Sequence, residues 1–337
     1  MKRAFFLACL GLVLLLPGNS KIAFAAGVVE LKISHISTEV DPIHMGWSFL
    51  KKNIEEKSGG AIKVTIFPNK ILSNSNNEDV EKVQQNIVQM TSVPTSSLAA
   101  IGNIKEYKAF DYAYLFDNND EAYKVIDGPV GKELSAVLEQ KVGIKALGGY
   151  NLGWLVVSSN KAPIKSPADL KGQKIRTMSS DLQMEIIRAF GANPVIVNYG
   201  ELFTACQQGT VDGMMTSTGL YVSDRFYEVQ KYMGAVNAAP LLHVPVVNAK
   251  WYSALDPAQK KVFDEAIPLY LTAVRQFEDD YEKAAIAELK KRGMQVSEYT
   301  PAEKKAFVDA SAYILRDKAD IAGKEIIERI KKELGKQ

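Results

Sequence analysis

Short apolar runs and helical patterns alternate along the first two thirds of the chain. A β-branched, apolar run predicts a strand over Val29–Ser34, and a second strand is predicted over Ile62–Phe67. Between them, apolar residues at helical spacing predict a helix with Asp41 as its N-cap and Pro42 in its first turn. Strand–helix–strand units of this kind build parallel sheets.

The same rhythm returns after residues 148–152, which we interpret as a boundary. Strands are predicted over 154–158, 174–176, 193–197 and 211–215, and helices over 181–190 and 201–208. The last third is helical: one helix begins at Asp256 and Pro257, a long one follows Pro268 over 269–292, and a capping box from Thr300 to Glu303 opens another. The pattern predicts an α/β protein with two lobes.

The N-terminus has the pattern of a secretory signal peptide. Lys2 and Arg3 precede an apolar run over 4–16, and Ala23-Phe24-Ala25 ends the segment at residue 25. The apolar run is too short to span a bilayer. A lipoprotein signal at Cys9 is the alternative, but little apolar sequence precedes that cysteine. We expect an exported, soluble protein in the periplasm.

Charge and cysteine content narrow the function classes. The chain has 41 basic and 39 acidic side chains, and removal of residues 1–25 takes away three basic ones, which leaves 38 against 39. No basic cluster is interleaved with aromatic residues, so we expect no nucleic-acid partner. Cleavage leaves Cys206 as the single cysteine, and its place on the apolar side of a predicted helix indicates a core residue.

Motifs for catalysis or metal binding are scarce. The three histidines are His35, His44 and His243, and the nine-residue separation of the first two is not a zinc spacing. No nucleophile elbow, dinucleotide fingerprint or P-loop is present. We therefore interpret the chain as a protein that is not an enzyme and needs no metal or cofactor. The competing class is an enzyme built on a two-lobed scaffold.

Arg176 ends a predicted buried strand, where an arginine is rarely found without a partner. Ligands of open α/β sheets bind beyond the carboxyl ends of the strands, and the helix start that follows favours an anion. A guanidinium can hold a carboxylate through two parallel hydrogen bonds. Arg176 is therefore predicted to bind a carboxylate ligand, with an internal salt bridge as the alternative.

Residues 163–217 carry a family resemblance. The run PIKSPADLKGQKIRTMSSDLQMEIIRAFGANPVIVNYGELFTACQQGTVDGMMTS resembles the periplasmic solute-binding proteins of TRAP (tripartite ATP-independent periplasmic) transporters, and similar stretches extend over the mature chain. The resemblance implies two α/β lobes, hinge strands, a long helix bracing both lobes, and an organic-acid ligand in the cleft. It places the family's carboxylate-binding arginine on Arg176 and implies a sodium-driven membrane permease as the partner.

Two departures from the family pattern bear on the ligand. Trp154 stands where many members have a second cleft arginine, and Thr216 stands where a ligand-contacting asparagine is common. With Met178, Met214 and Met215 they would give an apolar lining, which suggests a carboxylate on an apolar body, such as an aromatic acid or an amino acid. The alternatives are a small mono- or dicarboxylate like the C4-dicarboxylates, and a role as ligand-sensing partner of a membrane receptor.

Other cleft candidates follow from position along the predicted strands. His35 and Glu39 come after the first strand, Asn151 lies at the first hinge, and Tyr221 follows the strand at 211–215. Each also has a structural interpretation, such as satisfying hinge backbone for Asn151 or packing for Tyr221. We expect the first lobe to comprise residues 28–152 and 242–280, and the second to comprise 153–241 and 281–333 with the C-terminal helices.

Overall fold

The structure is a computed structural model that describes residues 27–336, so the predicted signal peptide lies outside the described residues. The strands are β1 Val29–Ser34, β2 Ile62–Phe67, β3 Met90–Pro94, β4 Ile144–Ala146, β5 Tyr150–Ser159, β6 Lys174–Thr177, β7 Asn193–Ile196, β8 Gly213–Ser217, β9 Tyr232–Gly234, β10 Pro240–Asn248 and β11 Gln295–Ser297. The helices are α1 Pro42–Lys57, α2 Asn76–Gln84, α3 Thr95–Ile101, α4 Asn119–Asp127, α5 Pro129–Val142, α6 Asp181–Ala189, α7 Leu202–Gln207, α8 Thr218–Ser223, α9 Ala249–Ala254, α10 Pro257–Lys291, α11 Pro301–Asp317 and α12 Lys324–Leu334.

Two groups of strands make two lobes, joined by the long strands β5 and β10. The strand order is β2-β1-β3-β10-β5-β8-β6-β7, with β4 beside β10, β9 beside β5, and β11 beside β9. Parallel β1, β2 and β3 form the first lobe, and β6 runs parallel to β7 and β8 in the second. β10 is antiparallel to β3, and β5 is antiparallel to β8, so these two strands connect the lobes. The predicted two-lobed α/β fold is confirmed.

Local signals explain the start of the first lobe. Asp41 caps α1 by accepting a hydrogen bond from the backbone N–H of Ile43 at 2.9 Å, and Pro42 opens the helix as predicted. The apolar stripe of α1 packs on α10, where the Trp47 and Tyr270 rings stack with centroids 4.7 Å apart. Gly46 is required at this crossing, because a Cβ there would lie 2.9 Å from Val274.

The prediction of two helices around Pro268 was wrong. A single 35-residue helix, α10, passes through Pro268. Proline removes one backbone hydrogen bond from a helix, at a cost of about 3 kcal/mol. Buried Phe263, Ile267 and Tyr270 anchor both sides of that position, so burial outweighs the loss. The helix packs on α1 of the first lobe and on α8 of the second, and thus braces both.

The C-terminal helices divide between the lobes, which differs from the expected assignment to the second lobe. α11 packs on α6 of the second lobe, but α12 packs on α4 and α5. The reason is an apolar stripe of Ile326, Ile327 and Ile330 that joins the core of the first lobe. An ion pair between Arg329 and Glu133 of α5 flanks this contact. None of the helices in the described part of the chain combines the length and apolarity needed to cross a bilayer.

Candidate functional site

Arg176 lies inside the molecule without an acidic partner. It sits in the middle of the second-lobe sheet on β6, opposite Val195 of β7, and only 2% of its surface is exposed. Its Nε donates to the carbonyl oxygen of Val197 at 2.9 Å, and its guanidinium lies 5.8 Å from the centroid of the Tyr199 ring. Among residues 27–336 no aspartate or glutamate forms an ion pair with it. Burial lowers the pKa of Arg176 to about 10, so the side chain remains a cation at neutral pH.

The guanidinium faces a cavity between the lobes, here called the arginine cavity. The first lobe contributes Ser75, Asn76, Asn77, Pro94, Ser96 and Ser97, and the second contributes Arg176, Met178, Ser179, Val197, Asn198 and Tyr199. Its empty volume is about 450 Å³. An uncompensated buried cation in a cleft of this kind is arranged to receive an anion.

A second cavity, here called the histidine cavity, shares Asn76, Met178 and Tyr199 with the first and has an empty volume of about 440 Å³. Both volumes include space that is open to the solvent. Its apolar lining residues are Ile36, Ile43, Leu152, Leu220 and Leu241, and its other lining residues are His35, Ser37, Ser92, Thr216 and His243. The shared residues make the two cavities neighbouring parts of one cleft. The combined site offers one cation at one end and a mixed apolar and uncharged polar surface at the other.

Both lining histidines are neutral. Burial lowers the pKa of His35 to about 3, with the neighbouring His44 as a further cause, and burial alone lowers the pKa of His243 to about 3. His35 Nε2 lies 3.2 Å from His44 Nδ1, and His243 Nδ1 lies 3.4 Å from Ser92 Oγ. Among the described residues, no group of three or more histidine, cysteine or acidic side chains is arranged to hold a metal ion.

Four of the predicted site residues line the cleft. Arg176 lines the arginine cavity, His35 and Thr216 line the histidine cavity, and Met178 lines both. Met178 also contacts the first lobe, because Ser96 Oγ lies 3.4 Å from its sulfur.

Trp154 lies outside the lining of both cavities and is half-buried against the core. Leu152, two residues earlier, does line the histidine cavity, and strict alternation would put Trp154 on the same face. Gly153 interrupts the alternation with φ +111°, a conformation that favours glycine. The bend in β5 therefore separates these two side chains.

The other four predicted residues also lie outside the lining. Met215 is buried in the core, and Tyr221 is buried with its hydroxyl donating to the carbonyl of Met214 at 3.0 Å. Asn151 is buried and donates from Nδ2 to Asn119 at 2.9 Å, while the exposed Glu39 accepts from Asn69 at 3.4 Å. Met215 and Tyr221 thus pack in the core, Asn151 supports the hinge, and Glu39 lies on the surface.

Sequence reasoning identified His35 and Thr216 but not the lining residues Ser92, Tyr199 and His243. His243 interrupts the otherwise apolar strand PLLHVPVVN, which is the one signal that could have drawn attention to it. Ser92 is buried within β3, and Tyr199 lies in the turn after β7. Nothing in the sequence connects these positions, since Ser92 and His243 are 151 residues apart.

Cys206 has the environment of a core residue, as predicted. It is 3% exposed, and its sulfur lies 3.9 Å from that of Met214. Burial raises the pKa of the thiol to about 11, which disfavours the nucleophilic thiolate.

Contacts between the lobes hold the cleft closed in this structure. The hydroxyl of Ser180, which precedes α6 of the second lobe, donates to Oδ2 of Asp111 at 2.7 Å. Asp111 ends the 3-10 segment Lys105–Asp111 of the first lobe, and Lys108 of that segment pairs with Asp181 at 2.5 Å. Both partners of the Asp111–Ser180 bond are buried. The two lobes are thus in contact across the cleft in this structure, which we call the closed form, and both cavities lie between them.

Two α/β lobes, hinge strands and a cleft in which Arg176 has no acidic partner among the described residues define a periplasmic-type solute-binding protein. The model of the family described as "Bacterial extracellular solute-binding protein, family 7" matches residues 33–320, and the chain belongs to this family. The family consists of binding receptors rather than enzymes, and solved TRAP periplasmic solute-binding proteins share the fold. The predicted family is confirmed.

Relatives of known name bind organic acids. The 2,3-diketo-L-gulonate-binding periplasmic protein of Escherichia coli is 29% identical over 296 residues, which cover 86% of each chain. A sugar acid binding protein of Advenella mimigardefordensis, solved with galactonate, superposes with a TM-score of 0.87 at 25% identity, covering 92% of this chain and 98% of that one. A TRAP solute-binding protein of Shewanella oneidensis, solved with succinate, gives a TM-score of 0.85 at 27% identity, covering 91% and 99%.

Proposed function

We propose that this protein is the extracytoplasmic receptor of a TRAP transporter, which binds an organic acid in the cleft and delivers it to a membrane permease. The observation that carries the proposal is Arg176, a buried cation that has no acidic partner among the described residues and faces a cavity between the lobes. The ligand carboxylate would accept hydrogen bonds from its guanidinium. The organic acids bound by the relatives support the same class of ligand.

Closure of the lobes is the mechanism that fits this geometry. The arginine cavity is built from both lobes, so a ligand there contacts both and favours the closed form over an open one. Exclusion of water from the cleft strengthens the contact between the guanidinium and the carboxylate. The closed form is then what the permease recognises, which makes delivery dependent on ligand.

The ligand body is proposed to be largely apolar. Met178 and five aliphatic residues line the cleft beside Arg176, which supports that part of the prediction. The suggestion of an aromatic ligand relied on Trp154, which lines neither cavity. The aromatic ring that lines both cavities is that of Tyr199. The periplasmic location agrees with the family and with the predicted signal peptide. A sensing role with a membrane receptor would use the same closed form.

The test is thermal unfolding with a panel of organic acids, for the unaltered protein and for Arg176→Ala. A ligand at a hundred times its dissociation constant adds about 2.7 kcal/mol to the free energy of unfolding. We expect the best acid to raise the melting temperature of the unaltered protein and to have no effect on Arg176→Ala. Arg188→Ala removes an exposed arginine of α6 in the same lobe and should keep the full shift. An equal shift in Arg176→Ala would refute the anchoring role.

A further inference from the structure

The end of the cleft away from Arg176 carries no charge, and this bears on which acids can bind, given the proposed function. The residues that line the two cavities include one charged side chain, Arg176, and it lines the arginine cavity alone. Lys70, whose Nζ lies 5.7 Å from the centroid of the Tyr199 ring, lines neither cavity. A second carboxylate in the histidine cavity would be buried without a cation, which is costly.

Contact with Ser92 positions His243. The Tyr150 hydroxyl donates to Ser92 Oγ at 2.7 Å, and Ser92 Oγ lies 3.4 Å from His243 Nδ1. A neutral imidazole has one N–H donor and one acceptor nitrogen, and Nδ1 is the nitrogen that Ser92 occupies. Because His243 is 5% exposed and lines the histidine cavity, its Nε2 is available to a ligand hydroxyl, which can either donate or accept a hydrogen bond.

The second lining histidine is also held uncharged. His35 Nε2 and His44 Nδ1 are 3.2 Å apart, and one proton between them satisfies both nitrogens. His35 is 2% exposed, so a charged ring would be buried beside a second imidazole. Thr216 and Ser37 add uncharged hydroxyl groups to the same cavity.

We propose that the protein selects monocarboxylates whose body carries a hydroxyl group, and that His243 determines this selectivity. The carboxylate binds at Arg176, and the hydroxyl group forms a hydrogen bond with Nε2 of His243 in the histidine cavity. Dicarboxylates of the same length are disfavoured, because their second carboxylate meets no cation. His243 is a ligand-contacting residue in this proposal, and Ser92 and Tyr150 are positioning residues that act through it.

The test is calorimetric titration with acids that differ at the far end of the carbon chain. The probes form two series, each with an unsubstituted acid, a hydroxy acid and a diacid: butanoate, 4-hydroxybutanoate and succinate with four carbons, and hexanoate, 6-hydroxyhexanoate and adipate with six. In one series or the other, we expect the hydroxy acid to bind about tenfold or more tightly than the diacid of equal length, and more tightly than the unsubstituted acid. Binding of each acid should be lost in Arg176→Ala.

Two variants separate the role of His243 from general damage. His243→Phe keeps a ring of similar size without the ring nitrogens, and the hydroxy acid should then bind no better than the unsubstituted acid. His243→Gln retains both a donor and an acceptor and should restore part of the preference. In both variants the unsubstituted acid should still bind, which reports an intact cleft.

The outcomes distinguish this inference from the proposed function. If acids bind in an Arg176-dependent manner but the diacids bind most tightly, the selectivity is refuted while the proposed function stands. If that diacid binding is lost in Lys70→Ala, the second carboxylate contacts Lys70 instead of the uncharged end. If none of the acids binds, both the selectivity and the proposed function fail.

Discussion

The buried hydrogen bond between Asp111 and Ser180 joins the two lobes, so its removal should weaken ligand binding. Asp111 belongs to the first lobe and accepts from Ser180 of the second at 2.7 Å, while its other oxygen accepts from Thr95 at 3.0 Å. The bond to Ser180 exists when the lobes are together and is broken when they separate. We therefore predict that Ser180→Ala destabilises the closed form relative to the open one.

The size of the effect follows from the type of bond. A hydrogen bond to a charged group contributes about 1.5–3 kcal/mol, which corresponds to a dissociation constant about 10- to 150-fold higher when ligand binding requires closure. Ser180 is also the N-cap of α6, so the same substitution should lower the free energy of unfolding by about 1 kcal/mol. The two effects must be measured separately.

Calorimetric titration with the best acid of the panel gives the first effect, and urea unfolding without ligand gives the second. Asn118→Ala is the matched control, because Asn118 caps α4 by accepting from Glu121 N–H at 3.0 Å and lines neither cavity of the cleft. It should lower stability to a similar degree and leave affinity unchanged. Equal affinities for Ser180→Ala, Asn118→Ala and the unaltered protein would refute the role of this bond in closure.

Three further predictions concern stability and reactivity. Gly153→Ala should destabilise the protein by about 1–3 kcal/mol in urea unfolding, because φ is +111° and the new Cβ would lie 2.4 Å from Glu282 Oε2; an unchanged midpoint would contradict this strain. Burial raises the pKa of Asp41 to about 7 and that of Asp111 to about 6, so each of these carboxyl groups binds more protons in the folded state than in the unfolded state, whereas His35 and His243 do the opposite. The contribution of Asp111 to stability should therefore fall as pH rises from about 4 to about 6, and the difference in thermal unfolding between the unaltered protein and Asp111→Asn isolates it; a difference that does not change with pH over that range would refute the assignment. Cys206, with a pKa of about 11, should react with a thiol reagent only in unfolding urea, and rapid labelling of the folded protein would show that it is accessible.

Much of the fold could be predicted because local signals were unambiguous. β1 and β2 match their predicted ranges, since in each a short run of β-branched and apolar residues is interleaved with polar ones. The α1 start was fixed by Asp41 and Pro42. The long helix could not be predicted as one element, because the tertiary burial of Tyr270 that overrides Pro268 has no local signature.

The site was predictable only in part, for a related reason. Arg176 stood out because a permanent cation lies near the end of a strand that was predicted to be buried, a conflict visible in the sequence itself. The histidine cavity is assembled from β3, β10 and the segment after β1, and its chemistry depends on contacts across 151 residues, such as that of Ser92 with His243. Trp154 illustrates the opposite case: its position in β5 suggested the cleft, but the backbone at Gly153 changes the face of the strand.

The central claim is that the unpaired guanidinium of Arg176 holds the carboxylate of an organic acid. Mass spectrometry of the small molecules released when the freshly purified protein is unfolded tests it most directly. We predict that the unaltered protein releases an organic acid and that Arg176→Ala, purified in the same way, releases none. Release of only molecules without an acidic group, or of the same acid from both proteins, would contradict the claim.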